Sequence, residues 1–515
     1  MNDHAARVSE LTSWRSDWSG LRVAVLGLGV TGFSVADTLL ELGADVFVLA
    51  ASAREEQKQL LEVIGGRLLE RDLDSVPDEL VSFDPELIVA SPGFHPDSPI
   101  LLWAARRAVP IWGDIELAWR VRDKVTPVAE WILVTGTNGK TTTTQLATHI
   151  LEADGRRVAA VGNIGIPVLD AVRYPAGFDV LVVELSSYQL HWLGQTPAGT
   201  LSPWASVCLN LADDHLDWHG SFDAYRAAKA KVYTNTRVAA LYNRADEATR
   251  LMVEDAEVID GARAIGFGLD APGPSDFGVV DGILCDRAFL DERATTALEL
   301  TTRDELAKVG LGAPHAIANV LAAAALTRSL GVAPSVVREA LRTFQLDSHR
   351  TEVIATDRGI VWIDDSKATN PHAAAASLRA HASVVWIVGG LLKGVDVDEL
   401  VWRHYDRLSA VVLIGADRTA LRSAFERHAP TVAVFEVDTA ETRDVMPSAV
   451  RLAAAAAKSG DVVLLAPAAA SMDQFTDYKD RGTQFAEAVR RLLLGTSRSE
   501  GPEDDDDPGA ERSAG

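Results

Sequence analysis

The chain has 515 residues, of which 47% are hydrophobic and 24% charged, and its formal net charge is −24. That length exceeds what one hydrophobic core supports and predicts about three domains. The negative charge argues against nucleic acid as a partner, because phosphate contacts need a basic surface. No apolar run is long enough to span a bilayer, and the first residues lack the apolar segment of a signal peptide. With only two isolated cysteines, Cys208 and Cys285, these features favour a reduced, cytoplasmic protein.

The first domain is predicted at residues 20–121, after a loosely ordered extension at 1–19. It begins with an apolar strand, a glycine turn at 27–32, a helix and a second strand, which together indicate a βαβ unit. The turn matches the GxGxxG pattern of dinucleotide sites, but residues 50–53 lack the acid that would hold a ribose. Two interpretations therefore stay open: an NAD site, and a phosphate or nucleotide-sugar diphosphate at the helix start.

The clearest motif lies in the second domain, predicted at residues 122–347. An apolar strand leads into Gly136-Thr137-Asn138-Gly139, then into Lys140 and a row of threonines that starts a helix. Such a turn gathers backbone N–H groups around an anion, and the lysine adds positive charge while Thr141 offers a hydroxyl to Mg²⁺. Val134 replaces one glycine of the strict Walker pattern, so the loop is a shortened variant. A chance Gly-Lys-Thr turn is the alternative, but the flanking strand and helix favour a nucleoside-triphosphate site.

Two later segments of this domain carry groups that bind metals. Glu184 ends an apolar strand, which would place its carboxylate at the same sheet edge as the phosphate loop. His215 lies in the acidic segment 213–219, which is either a second metal position or simply a polar loop. A helix is predicted at 222–231, and residues 246–300 are predicted to form irregular β structure.

The third domain is predicted at residues 348–497, as five strands alternating with helices. Lys367 and Lys393 each follow a strand, at the edge where open α/β sheets bind ligands. They are either ligand-binding cations or ordinary surface charges. The acidic, low-complexity run at 498–515 predicts a disordered tail.

Taken in order, these motifs resemble the ATP-dependent Mur ligases, and among them the members that add D-glutamate. The resemblance covers about residues 20 to 495. Besides the phosphate loop and the Glu184 segment, it rests on Gly162-Asn-Ile-Gly165, Asp214-His-Leu-Asp217, Tyr225-Arg-Ala-Ala-Lys229, Pro314-His-Ala-Ile-Ala-Asn319, His349-Arg-Thr-Glu352, Asp365-Ser-Lys-Ala-Thr-Asn370 and Ala470-Ser-Met-Asp-Gln-Phe475. The last two motifs are the ones that resemble D-glutamate-adding members.

The resemblance implies three α/β domains: an N-terminal Rossmann-like domain that binds UDP, a central phosphate-loop ATPase domain with a parallel sheet, and a C-terminal Rossmann-like domain that binds the amino acid. It implies ATP-dependent addition of D-glutamate to UDP-N-acetylmuramoyl-L-alanine through an acyl phosphate, in cytoplasmic peptidoglycan precursor synthesis. We expect a monomer, with no nucleic-acid partner and no membrane insertion. The alternatives are another ligase of this architecture, adding a different amino acid or glutamylating a folate, and an NAD-dependent oxidoreductase.

The resemblance also implies roles for individual residues. The first of two Mg²⁺ ions is assigned to Thr141 and Glu184, and the second to His215 and carbamylated Lys229, beside Lys140 on the ATP phosphates. The other nucleotide-binding residues are Gly136, Thr137, Asn138, Gly139, Thr142, Asn319, Arg350 and Asp365. Those assigned to the UDP-muramoyl substrate are Val30, Thr31, Ser91, Pro92, Gly93, Asn163, Ser186 and Gln189. Those assigned to D-glutamate are Lys367, Thr369, Lys393, Ser471 and Tyr478.

Lys229 is the assignment with the least local support, because a lysine in a helical stretch is ordinarily exposed. Reaction of its neutral amine with CO₂ would give a carbamate, an anionic oxygen ligand that suits Mg²⁺. Lys231, two residues later, is expected to face elsewhere and to tolerate alanine. Three positions depart from the family: the missing acid at 50–53 leaves the uracil contacts undefined, and Met472 and Tyr478 affect the fit of the amino acid pocket.

Overall fold

A computed structural model describes residues 3–194, 201–439 and 441–498. The chain forms two compact units, Met1–Gln345 and Leu346–Gly515. Residues 499–515 of the predicted acidic tail lie outside the described residues. Among these residues, no helix combines the length and the apolar character needed to cross a bilayer.

The first sheet has five parallel strands in the order β3-β2-β1-β4-β5. The order reverses between β1 and β4, so the loops that follow these two strands lie side by side at the switch point where open α/β sheets bind ligands. The strands are β1 (Arg22–Leu26), β2 (Asp45–Ala50), β3 (Arg67–Glu70), β4 (Leu87–Ala90) and β5 (Ile111–Trp112). The helices are α1 (Asp3–Glu10), α2 (Val30–Glu41), α3 (Glu55–Val63), α4 (Asp78–Phe83), α5 (Pro99–Arg106) and α6 (Asp114–Arg120).

The prediction that the first 19 residues are loosely ordered is wrong for residues 3–19. Val8, Leu11 and Trp18 are buried, and the Trp18 ring meets Trp112 edge to face at 6.4 Å. The buried Arg120 donates to the Leu11 carbonyl oxygen at 2.9 Å. The sequence did not predict that these residues are buried. They are few and are separated by polar residues, so no regular apolar period marks them.

We expect Trp18→Ala to lower the free energy of unfolding of the Met1–Gln345 unit by about 3–5 kcal/mol, the usual cost of truncating a buried tryptophan. Urea unfolding followed by circular dichroism measures the change. Val63→Ala is the control, because Val63 is an exposed apolar residue of the same domain. Equal unfolding midpoints for Trp18→Ala and the unmodified protein would show that residues 3–19 are not anchored.

The second sheet has nine strands in the order β14-β13-β12-β11-β10-β9-β6-β8-β7. The strands from β7 to β12 in this order are parallel, and β13 and β14 extend the sheet as an antiparallel pair. The strands are β6 (Glu130–Thr135), β7 (Val158–Gly162), β8 (Val180–Glu184), β9 (Ala205–Cys208), β10 (Ala239–Asn243), β11 (Arg263–Phe267), β12 (Asp276–Val280), β13 (Ile283–Asp286) and β14 (Leu298–Thr302). The helices are α7 (Lys140–Ala153), α8 (Val168–Arg173), α9 (Ser187–His191), α10 (Leu216–His219), α11 (Phe222–Ala230), α12 (Glu247–Glu254), α13 (Arg303–Lys308), α14 (Pro314–Arg328) and α15 (Pro334–Thr343).

The sequence prediction for residues 246–300 is only partly correct. The region contains four strands, but it begins with helix α12, which Asp246 caps by accepting a hydrogen bond from the Ala248 N–H. The Asp cap followed by a helical apolar pattern was the overlooked signal. The first two sheets share one unit because α6 joins them: Trp119 of α6 meets Trp131 of β6 edge to face at 5.2 Å.

The Leu346–Gly515 unit holds a six-stranded sheet in the order β15-β16-β20-β17-β18-β19, parallel except for β15. All five predicted strands are present. The sequence missed β15, a half-exposed edge strand with no long apolar run. The strands are β15 (Glu352–Asp357), β16 (Ile360–Asp364), β17 (Val384–Gly389), β18 (Leu408–Ile414), β19 (Ala433–Glu436) and β20 (Val462–Leu465). The helices are α16 (Pro371–Arg379), α17 (Asp398–His404), α18 (Thr419–His428), α19 (Thr442–Ala456) and α20 (Tyr478–Arg498).

Candidate active site

The phosphate loop connects β6 to α7. Gly136 and Gly139 have φ angles of +148° and +81°, which residues with a side chain rarely adopt. The Lys140 side chain donates from Nζ to the carbonyl oxygens of Gly136 and Thr137, at 2.9 and 3.0 Å. The backbone N–H groups of the first turn of α7, which includes the buried Thr141 and Thr142, stay available to an anion.

Two asparagines from other elements hold this loop in place. The Asn210 side chain after β9 accepts from the Asn138 N–H at 2.8 Å and donates to the Asn138 carbonyl oxygen at 3.1 Å. Asn319 of α14 lies against Gly139, where an added Cβ would come within 2.4 Å of Asn319 Oδ1. Only glycine fits at position 139, because the phosphate loop packs directly against α14.

Glu184 ends β8 beside the phosphate loop, in register with Val134 of β6. Its carboxylate is buried, and Oε1 accepts a hydrogen bond from Asn163 Nδ2 at 2.8 Å. The other oxygen, Oε2, is buried without a hydrogen-bond partner. A buried, unpartnered carboxylate oxygen is costly to leave bare. It therefore fits the carboxylate ligand that Mg²⁺ takes at a nucleotide site.

His215 is the N-cap residue of α10 and has a φ angle of +54°, in the left-handed region. Its Nδ1 lies 2.6 Å from the Tyr188 hydroxyl oxygen, within hydrogen-bonding distance, and its Nε2 lies 3.6 Å from Asp214 Oδ2. These contacts hold an imidazole, which is a metal-binding group, in a fixed orientation.

Lys229 of α11 is buried, with 2% of its surface exposed, so the surface-charge interpretation is wrong. Its Nζ donates to the Gly136 carbonyl oxygen at 2.9 Å and to Thr135 Oγ1 at 3.3 Å. Burial, helped by the charge of Lys140, lowers the Lys229 pKa to about 7. A large part of the amine is thus neutral near pH 7, and the neutral form is the one that reacts with CO₂.

Lys231 faces away from the phosphate loop, as expected, but it is not a free surface lysine. Its Nζ donates to the carbonyl oxygens of His191 and Leu193 at the end of α9, at 2.7 and 2.9 Å. Alanine at this position would leave those carbonyl groups without their cation. The expectation that Lys231 tolerates alanine assumed a side chain without structural contacts, and these two hydrogen bonds remove that reason.

Asn163, Ser186 and Gln189 lie beyond the carboxyl ends of β7 and β8. Ser186 caps α9 in a reciprocal arrangement: its Oγ accepts from the Gln189 N–H, while Gln189 Oε1 accepts from the Ser186 N–H. The backbone N–H of Asn163 donates to the Glu184 carbonyl oxygen at 2.9 Å. Of the three side chains assigned to the muramoyl substrate, that of Asn163 contacts the candidate metal ligand Glu184, while those of Ser186 and Gln189 contact each other.

The residues assigned to the UDP end meet at the switch point of the first sheet. An added Cβ at Gly27 would lie 2.7 Å from Ser91 Oγ, so the loops after β1 and β4 touch. Val30, which is exposed, and Thr31 occupy the first turn of α2. Pro92 and Gly93 continue the loop after Ser91. The arrangement offers a helix N-terminus and a serine hydroxyl to a diphosphate.

Arg350 and Asp365 lie in the Leu346–Gly515 unit. Asp365 is partly buried, accepts from the Thr351 N–H at 3.2 Å, and also accepts from the Ser377 hydroxyl. Burial raises the Asp365 pKa to about 6, while the nearby positive charge of Arg350 acts in the opposite direction. The two residues assigned to the nucleotide are thus electrostatic neighbours.

The five residues assigned to D-glutamate follow three strands that are adjacent in the sheet, β16, β20 and β17. Lys367 Nζ lies 3.9 Å from the centre of the Tyr478 ring, a cation–π distance. The backbone of Leu391 pairs with Ala470 and thereby ties the loop of Lys393 to the loop of Ser471. Thr369 donates its N–H to the Lys367 carbonyl oxygen at 2.8 Å. The unit therefore has two cations and three hydroxyl residues that follow adjacent strands at one sheet edge.

Sequence reasoning missed three residues that shape the site: Asp114, which accepts from Gln189, Tyr188 beside His215, and Asn210 beneath the phosphate loop. Tyr188 lies within the Glu184–Leu190 motif, beside Gln189. Asp114 and Asn210 follow strands at the carboxyl edge, and this position was the available signal.

Three family models match the chain. They are a Mur ligase MurD-like N-terminal domain at residues 21–113, a Mur ligase middle domain at 134–327, and a Mur ligase glutamate ligase domain at 349–469. The chain is 65% identical over 496 residues to the UDP-N-acetylmuramoylalanine–D-glutamate ligase of Leifsonia xyli, across 95% of this chain and 96% of the relative. The chain belongs to the Mur ligase family.

A second relative of this Mur ligase is the UDP-N-acetylmuramoylalanine–D-glutamate ligase of Streptomyces avermitilis, 51% identical across 93% of this chain and 99% of the relative. Among solved structures, the MurF ligase of Thermotoga maritima in complex with ADP matches with a TM-score of 0.53 at 17% identity. The match covers 96% of this Mur ligase and all of that chain. It confirms the predicted α/β fold, and membership of the family disfavours the NAD-dependent oxidoreductase.

Proposed function

We propose that this Mur ligase adds D-glutamate to UDP-N-acetylmuramoyl-L-alanine, with cleavage of ATP to ADP and phosphate. The observation that carries the proposal is 65% identity, across 95% of the chain, to a relative whose name states this reaction. The geometry supports it: an anion-binding loop, a bare buried carboxylate oxygen and a cationic sheet edge are the groups the reaction needs. We also propose a monomer in the cytoplasm, where ATP is available, with domain boundaries at 20–121, 122–347 and 348–497.

Making an amide from a carboxylate and an amine is uphill in water, so the carboxylate must first be activated. The γ-phosphoryl group passes to the carboxylate of the L-alanine residue and gives an acyl phosphate. The D-glutamate amine then attacks, and phosphate leaves. Phosphoryl transfer needs positioning and charge neutralisation more than covalent help from the protein.

The residues of the Met1–Gln345 unit would supply that positioning. The phosphate loop at 136–142 binds the ATP phosphates through its N–H groups and Lys140. Thr141 and Glu184 would hold one Mg²⁺, and His215 with carbamylated Lys229 a second. Bound Mg²⁺ supplies positive charge for the transferring phosphoryl group. Asn163, Ser186 and Gln189 orient the muramoyl portion, while residues 30–31 and 91–93 bind the UDP end.

The remaining roles fall to the Leu346–Gly515 unit. Arg350 and Asp365 are assigned to the nucleotide. D-glutamate carries two carboxylates, and Lys367 and Lys393 match that charge. Thr369, Ser471 and Tyr478 add hydroxyl groups, so the pocket offers both charge and hydrogen bonds.

The proposal predicts Mg²⁺-dependent phosphate release that requires both UDP-N-acetylmuramoyl-L-alanine and D-glutamate. A coupled phosphate assay with each candidate amino acid in turn, and with a folate as the alternative acceptor, tests it. Omission of either substrate should reduce release to the background rate. Turnover with L-lysine or meso-diaminopimelate and none with D-glutamate would contradict the assignment and favour another ligase of this architecture.

A further inference from the structure

Asp114 carries a buried carboxylate in the first domain. It contacts Gln189, a residue of the second domain that is assigned to the muramoyl substrate. It is the first residue of α6, and its Oδ2 accepts a hydrogen bond from Gln189 Nε2 at 3.1 Å. Its Oδ1 is buried without a hydrogen-bond partner. A buried carboxylate with one oxygen unpartnered lowers the stability of the fold. Stability alone therefore does not explain why the carboxylate lies against Gln189.

The contact fixes the direction of the Gln189 amide. Gln189 Oε1 accepts from both the N–H and the hydroxyl of Ser186, at 3.1 and 3.2 Å. An amide has one acceptor end and one donor end. With the donor end held by Asp114, the acceptor end must face Ser186. Asp114 therefore contributes, through the Gln189 side chain, to the position of the Ser186 side chain, which also accepts from the Gln189 N–H.

Helix α9 cannot hold this arrangement by itself. It spans only Ser187–His191, and a helix of about one turn is unstable without tertiary contacts. The segment before α6 packs closely against its end: a Cβ added to Gly113 would lie 3.1 Å from Trp192 Cβ. The first domain thus supports α9, and Asp114 provides one polar contact of that support.

The charge state of Asp114 agrees with this geometry. Burial raises its pKa to about 6, while the hydrogen bond from Gln189 acts in the opposite direction. At pH 8 the carboxylate is ionised and can only accept hydrogen bonds. The Gln189 amide nitrogen is the matching donor.

We propose that Asp114 is a positioning residue for the UDP-muramoyl substrate, acting through Gln189 and Ser186 without touching the substrate. The inference rests on the proposed function, because it takes Ser186 and Gln189 to face the muramoyl group. Asp114 links the domain assigned to the UDP end with the residues assigned to the muramoyl end.

The first test is Asp114→Asn in the full chain. Asparagine keeps the shape of the side chain but no longer fixes the Gln189 amide, because its own amide can face Gln189 with either its oxygen or its nitrogen. We expect the KM for UDP-N-acetylmuramoyl-L-alanine to rise roughly tenfold, the effect of losing one well-formed hydrogen bond to a charged group. The KM values for ATP and D-glutamate should stay within about twofold, the scatter expected where no contact is lost.

The second test exchanges the two partners. Gln189→Glu alone places two carboxylates together and should raise the same KM more than Asp114→Asn does. The double variant Asp114→Asn/Gln189→Glu restores a donor facing an acceptor, and its KM should return to within about threefold of the unmodified enzyme. Glu86→Gln is the matched control, because Glu86 is a buried carboxylate of the same domain that pairs with Arg7 and Arg22 instead. It should lower the melting temperature and leave the KM unchanged.

Several outcomes would overturn the inference. They are an unchanged KM in Asp114→Asn, a double variant no better than the worse single variant, and an equal rise in all three KM values. In each case the unmodified enzyme still turns over, so only the role of Asp114 fails. Absence of turnover by the unmodified enzyme would instead remove the proposed function, and this inference with it.

Discussion

Replacing Lys229 with alanine is expected to lower kcat by roughly a thousandfold, because several kcal/mol of metal-based charge stabilisation correspond to about three factors of ten in rate. The structure strengthens the reason for this expectation. Lys229 is buried at the base of the phosphate loop, and its pKa is lowered to about 7, chiefly by burial. A neutral, enclosed amine beside the candidate metal ligands is suited to accept CO₂, forming an N–C bond and releasing one proton. Binding of the UDP substrate, measured by calorimetry, should survive the substitution.

The matched control for this prediction is Arg226→Ala. Arg226 lies on the same helix, is largely exposed and forms an exposed ion pair with Asp223, so its loss should change little. Lys231, which donates to two backbone carbonyl groups, cannot serve as that control. Lys229→Met retains most of the buried volume and should be as inactive as Lys229→Ala, which separates lost chemistry from lost packing.

Two further measurements address the carbamate directly. Acetate or another short-chain carboxylate should partly restore turnover in Lys229→Ala, by occupying the space of the missing ligand. Unmodified enzyme supplied with ¹³C-labelled CO₂ should show a carbamate signal by NMR that is absent in Lys229→Met. Normal kcat in Lys229→Ala, or full activity of CO₂-depleted enzyme, would show that the lysine is not carbamylated.

The phosphate loop was predictable because its signal is local. A buried strand, a glycine turn and a helix start occupy consecutive residues, and α7 begins at Lys140 and ends at Ala153 as the pattern indicates. Strands β17, β18 and β20 of the third domain were predicted for the same reason: strands buried on both faces are continuous apolar runs. The edge strand β15, half exposed and paired on one side only, lacks that run and was missed.

Contacts between distant segments were not predictable in this way. Asp114 and Gln189 are 75 residues apart, and nothing in either segment alone indicates the other. Trp18 and Trp112 illustrate the same limit, since the partner of a buried side chain is set by the path of the chain. Lys229 was singled out by resemblance, and only the packing of α11 shows that it is buried. The residues assigned to D-glutamate follow adjacent strands, and their role stays a prediction.

Glu184→Gln is expected to weaken divalent metal binding by more than about tenfold and to lower kcat by at least about a hundredfold, the range for losing one charged ligand or stabilising group. Glutamine keeps the volume of the side chain and keeps an oxygen to accept from Asn163 Nδ2. It removes the negative charge and the bare Oε2 that the metal would use. Mn²⁺ titration followed by electron paramagnetic resonance, with a non-hydrolysable ATP analogue present, measures binding apart from turnover.

The metal-free melting temperature separates this role from a structural one. Because Oε2 has no hydrogen-bond partner to lose, Glu184→Gln should leave the metal-free protein at least as stable as before. Glu130→Gln is the matched control. Glu130 is the first residue of the neighbouring strand β6, so it lies at the amino ends of the strands while Glu184 lies at the carboxyl ends, and it pairs with Arg237. It should alter neither Mn²⁺ affinity nor kcat. If Glu184→Gln binds Mn²⁺ normally and its only defect is a lower melting temperature, then the carboxylate supports the fold around Asn163 and the metal lies elsewhere.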